Sequence, residues 1–308
     1  MSKRSGWFSF AWFTLSGLFL LSTSVHLALG LLTQIIWLRG GGQTLFRYYF
    51  AYQDPLFFVL CTGMELWWAR IAWKQFLPGQ DLRGAWLLIM MAALCHVVGM
   101  ILSQVLCTDS YINPLYALHV FGYKTSTAIL RPLGMFIGGP VHMAILAGGL
   151  FLALRLCRKY GVGGKLKAID WIILAIVGAY TLRVAYVLVQ LRLGVTAPPR
   201  LLEVMNWAND PLLCVLLVFA FFLRRSVAQM GWGYVTKCWG AYVIAILGTS
   251  LGSMGQWATN FGILPYPEST VVWHIWPVIY AAYALAPIYQ VEAAHVAKER
   301  LEEVDPDV

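Results

Sequence analysis

Charged side chains are scarce in this chain. Only 12% of its 308 residues are Asp, Glu, Lys or Arg, against roughly 25% in soluble domains. A water-soluble fold with 60% hydrophobic residues could not cover its own surface, so lipid must do so. Catalytic signatures are missing too. There is no P-loop, no HExxH and no DxxxD-type carboxylate cluster, which removes the usual nucleotide, metalloprotease and pyrophosphate sites. Whether the chain is an enzyme is therefore open at this level. Any chemistry is expected on a partner or a cofactor. The six cysteines form no CxxC and no CxxCH, which argues against a zinc ribbon and a c-type haem. Most fall inside apolar runs and read as small packing residues.

What is present is a series of long apolar runs. A helix needs about 20 apolar residues to cross a bilayer. Eight segments approach that length: 8–37, 55–75, 85–107, 128–156, 169–191, 210–224, 237–258 and 271–290. Their length favours helices over barrel strands. The expected fold is an all-α integral membrane protein with about eight transmembrane helices. The first run, Trp7 to about Trp37, is too long for a cleaved signal peptide and reads as a retained span.

Net charge is +8. In a soluble protein that would suggest nucleic acid. Here Lys and Arg sit at the ends of apolar runs and read as topology signals, so no nucleic-acid partner is expected. With the N-terminus inside, the inner connections carry fourteen basic residues and the outer ones six. The positive-inside rule then places both termini in the cytoplasm. The expected setting is a bacterial inner membrane, with the lipid bilayer and further protein subunits as partners.

An internal echo divides the chain. Asp54-Pro55-Leu56-Phe57-Phe58-Val59-Leu60 opens the second run, and Asp210-Pro211-Leu212-Leu213-Cys214-Val215-Leu216 opens the sixth, with five of seven residues matching at a spacing of 156. Trp86 and Gly99 are echoed by Trp239 and Gly252. Helix capping explains Asp and Pro but not the Leu, Val and Leu that follow. The expected organisation is two tandem four-helix units, 1–160 and 161–290, followed by a charged tail, 291–308, that continues the last helix into water.

Histidines and buried charges carry the candidate chemistry. His96 and His142 fall near the middle of the third and fourth runs, which cross in opposite directions. They can lie at one depth on adjacent helices, as a bis-imidazole b-type haem requires. Gly99, Gly138 and Gly139 would let a flat macrocycle approach the backbone. The plainer reading is polar packing between helices, and Thr249 stands where the second unit would need its equivalent of His96. Arg183 is deep within the fifth run and calls for a partner, with Asp210 the nearest candidate. Glu65 and Arg70 lie toward the inner end of the second run, five residues apart, and Arg70 can snorkel. Asp54, Arg131, Arg183, Asp210, Glu268 and His274 fall in the outer half. They could line a cavity for a small polar or amphipathic ligand such as a quinone head group, or form a structural ion-pair set.

The leading functional expectation is a membrane subunit of a larger electron-transfer complex handling quinone or b-type haem. A sensor or ligand-binding module, a small-solute transporter and a structural subunit are the alternatives.

Overall fold

The computed structural model describes residues 6–34, 54–108, 118–119, 129–162, 208–228, 233–260 and 275–304, with scattered residues between 168 and 186. In chain order the helices are α1 (Gly6–Gln34), α2 (Asp54–Lys74), α3 (Asp81–Val105), α4 (Arg131–Lys159), α5 (Asn209–Ala228), α6 (Tyr234–Asn260) and α7 (Ile275–Val304). Scattered described residues from Ala168 to Tyr186 are also helical. Beyond the helices, a two-residue antiparallel pair joins Cys107–Thr108 to Leu118–His119.

Among the described residues four helices are long and apolar enough to cross a membrane: Asp81–Val105, Arg131–Lys159, Pro211–Ala228 and Tyr234–Ser253. They suggest a membrane protein in contact with a bilayer. Large apolar side chains stand exposed on the outer faces, among them Phe13, Leu60, Trp67, Phe151, Ile244 and Leu251. Such a surface is costly in water and ordinary in lipid. The apolar runs mark the helices well, with two differences. The sixth run, expected to be the shortest, is a full helix of 20 residues. The last helix runs on to Val304, and the first part of the charged tail is not solvated. Glu292 is 1% exposed, and Gln75 Nε2 donates to the Val291 carbonyl at 3.3 Å.

Helices α2 to α7 close into a ring. Each packs on the next, and α7 returns to pack on α2. Helix α1 lies outside the ring against α7 and α2. One core fills the interior, with Ala69, Trp86, Leu146, Leu216, Tyr242 and Ile279 each supplied by a different helix. The segments before and after residue 160 therefore share a core.

Inside a bilayer the hydrophobic effect does not hold helices together, because lipid is as apolar as the core. Close packing does that work, and small residues permit it. A methyl on Gly99 would stand 2.3 Å from the Gly138 Cα, so α3 and α4 touch backbone to backbone. On the other side of the ring, a Cβ on Gly248 would meet Ile279 Cγ1 at 2.7 Å and one on Gly252 would meet the Trp276 ring at 3.1 Å.

Both helices at the Gly99–Gly138 contact widen locally. Ile101–Val105 in α3 and Ile137–Val141 in α4 are π-helical turns. The second contains Pro140, whose ring cannot donate a hydrogen bond and crowds the carbonyl four residues back. A π turn relieves that crowding. It also delivers the chain directly to His142, the next residue.

The basic ends of the helices gather at one end of the bundle. There Lys159 Nζ and the Tyr160 hydroxyl both reach Asp81 Oδ2, at 2.7 and 2.8 Å, and tie the end of α4 to the start of α3. Arg83 lies over the Trp73 ring at 5.1 Å. Asp170 pairs with Arg225 and joins the segment after residue 168 to α5.

Candidate functional site

Within the ring, α2, α3 and α4 each contribute one ionisable side chain to a single cluster. Glu65, His96 and His142 are all buried, at 0%, 6% and 2% exposure. His96 Nδ1 lies 3.1 Å from Glu65 Oε2. The two imidazoles face each other with centroids 4.4 Å apart and planes 34° apart. His142 Nδ1 lies 2.9 Å from the Ala92 carbonyl on α3.

The Ala92 carbonyl can only accept, so Nδ1 of His142 carries the hydrogen. Nε2 of a neutral His142 is then an acceptor. It has no hydrogen-bond partner among the described residues, and neither has Glu65 Oε1. A carboxyl and an imidazole in hydrogen bond can share one proton in either direction. The bond between Glu65 and His96 requires one hydrogen between them, and His142 offers a second basic nitrogen close by.

Helices α6 and α7 supply the opposing wall. Tyr280 stacks on His96 at 5.3 Å. Tyr283 meets His96 and His142 edge-on at 5.5 and 5.8 Å. The Tyr280 hydroxyl donates to Met100 Sδ at 3.3 Å. Tyr242 packs on Tyr283 at 6.3 Å, and its buried hydroxyl has no partner among the described residues. Thr249, at the position matching His96, donates to the Ala245 carbonyl at 2.8 Å.

The structure brings together two of the residues singled out in the sequence, His96 and His142. Their arrangement does not fit a b-type haem between them. An iron held by both needs the rings end-on from opposite sides of a macrocycle. Here the rings face each other in contact, with Tyr280 and Tyr283 packed around them. The glycines assigned to the macrocycle are used otherwise: Gly99 and Gly138 press the two helices together, and a Cβ on Gly139 would sit 2.9 Å from Asn209 Oδ1. No group of three or more His, Cys, Asp or Glu side chains suited to a metal occurs among the described residues.

Most of the outer-half set lies outside the described residues. Arg131 is half-buried as the first residue of α4. Asp54 and Asp210 open α2 and α5, but their side chains lie outside the described residues. Arg183, His274 and Glu268 lie outside them altogether. The Arg183–Asp210 pair and the outer cavity are therefore not part of the described site.

Glu65 is the candidate residue whose partner sequence spacing does not give. Read along its own helix, it is an acidic residue five positions from Arg70. In the structure Arg70 is exposed and Glu65 is buried, and its partner comes from the next helix. The signal was a carboxylate inside an apolar run, which is costly unless paired. No family model matches this chain, and no curated protein or solved structure matches it either.

Proposed function

We propose that this chain is a multi-pass membrane protein that handles protons inside the bilayer, with Glu65, His96 and His142 as the carriers. One observation supports this reading above all. A carboxyl and two imidazoles, contributed by three helices, form a hydrogen-bonded and stacked cluster in the middle of an otherwise apolar core. Intramembrane ionisable groups are expensive and are typically retained for proton or ion movement.

Transport is the role the arrangement favours. The chain is read as eight spans in two tandem units with both termini in the cytoplasm. The helix contacts support that reading: exchanging α2, α3 and α4 with α5, α6 and α7 maps every contact of the ring onto another contact. The cluster then lies where the units meet, since Tyr242, Tyr280 and Tyr283 of the second unit face Glu65 and the histidines of the first. Transporters with parallel repeats commonly bind substrate and coupling ion at such a midplane interface. A proton shared between Glu65 and His96 would be the coupling ion.

Membership of an electron-transfer complex is the second reading. Quinone reduction takes up protons as well as electrons, so buried proton carriers suit it. The b-type haem of that reading finds no support in the ring geometry.

Infrared difference spectroscopy of the purified protein, titrated with pH, tests the proposal. A protonated-carboxyl band should come and go with pH. It should vanish in Glu65→Gln and shift in His96→Phe. If no pH-dependent carboxyl band responds to Glu65→Gln, the cluster is structural packing and the proposal fails. A band that shifts on adding a short-chain benzoquinol would favour the electron-transfer reading over transport.

A further inference from the structure

A groove of about 600 Å³ runs between α1, α6 and α7 on the outside of the ring. Its volume falls within the roughly 300–1,000 Å³ of ordinary ligand sites. Its length is apolar, walled by Leu15, Phe19, Val243, Ile244, Val278 and Leu285. One end differs. There Arg224 and Lys237 line it, at the end of the bundle where the other basic helix termini lie. A Cβ on Gly240 would come within 3.4 Å of Arg224 Nε, so the glycine lets the guanidinium stem lie flat across α6. Lys237 stands 5.0 Å over the Tyr234 ring and is exposed.

The groove thus has an apolar body as long as several helical turns and two cations at one mouth. Among the described residues no acidic side chain lines it. We infer that it is a binding site for an anionic phospholipid, with an acyl chain lying along α1, α6 and α7 and the phosphate held by Arg224 and Lys237. The charge arrangement selects this occupant. A neutral apolar ligand has no use for two cations, and a soluble anion has no use for the apolar body. Basic pockets between membrane helices are a recurring way to hold anionic head groups. The site rests on the chain's lying in a bilayer and is independent of proton handling at Glu65, which faces the inside of the ring.

The test is native mass spectrometry of the detergent-solubilised protein, given phosphatidylglycerol or phosphatidylcholine. Wild type should retain phosphatidylglycerol in preference. Arg224→Gln and Lys237→Gln should each weaken that retention roughly five-fold, the contribution of one basic residue near an anionic lipid surface. Val278→Trp, which fills the groove and leaves both cations in place, should also displace the lipid. The control Arg83→Gln, at the same end but outside the groove, should retain it. Equal retention of the two lipids by wild type would overturn the site. So would undiminished retention in Lys237→Gln and Val278→Trp, or an equal loss in Arg83→Gln. If Arg224→Gln does not fold, Lys237→Gln and Val278→Trp decide the matter alone.

Discussion

Trp86 and Trp239 meet in the middle of the core, with ring centroids 6.0 Å apart and planes tilted by 37°. They are also the pair that echo each other across the two halves of the sequence. Two residues at matching positions touch each other only if they lie near the axis that would relate the halves. Both are buried, at 0% and 3% exposure.

Removing either ring should leave a large cavity. Trp86→Ala and Trp239→Ala should each cost on the order of 3 kcal/mol. The double substitution should cost less than the sum by about 0.5–1.5 kcal/mol, the range of direct aromatic pairing. Reversible unfolding in mixed micelles gives all three values. Strict additivity would mean that the rings are neighbours without coupling.

Gly99 tests the backbone contact between α3 and α4. Gly99→Ala should force the helices apart and destabilise the protein by about 1–3 kcal/mol, the range for overpacking a filled core. Gly63→Ala, on α2, is the control. Nothing lies within 4 Å of its Cβ position, so it should be neutral or stabilising through helix propensity. Thermal unfolding in detergent separates the two. Equal behaviour would show that the close approach is not needed.

The Asp170–Arg225 pair makes a third prediction. Asp170 is 1% exposed, while the Arg225 side chain keeps 25% of its surface. Asp170→Ala should cost somewhat less than the roughly 3–5 kcal/mol of breaking a fully buried pair. Exchanging the two residues, Asp170→Arg with Arg225→Asp, should recover part of the loss. A double-mutant cycle checks this.

The fold was readable where it depends on one helix at a time. Apolar run length located α2 to α6 to within a few residues, because the bilayer requirement acts on each span separately. The depth of His96 and His142 was readable for the same reason, since counting along antiparallel runs gives depth. Contacts around the helix axis were not. Glu65 lies five residues from Arg70, a spacing that does not stack the two on one helix face, and its partner is His96 on another helix. Asp170 lies in the fifth apolar run and Arg225 just beyond the sixth. Their meeting is a property of packing between helices, which no spacing within one helix encodes. The misfit between the ring geometry and a haem has the same ground. Equal depth puts two imidazoles near each other but does not set the distance between their rings, and Gly99 and Gly138 draw the helices too close for a macrocycle.

The return of α7 onto α2 sets an order of events during synthesis. A ribosome releases α2, α3 and α4 early, so Glu65, His96 and His142 enter the membrane together. Tyr280 and Tyr283, which wall them in, arrive with α7, the last helix of the ring. Until then the seam beside α2 is open, and the carboxylate's partner is His96, which enters with it.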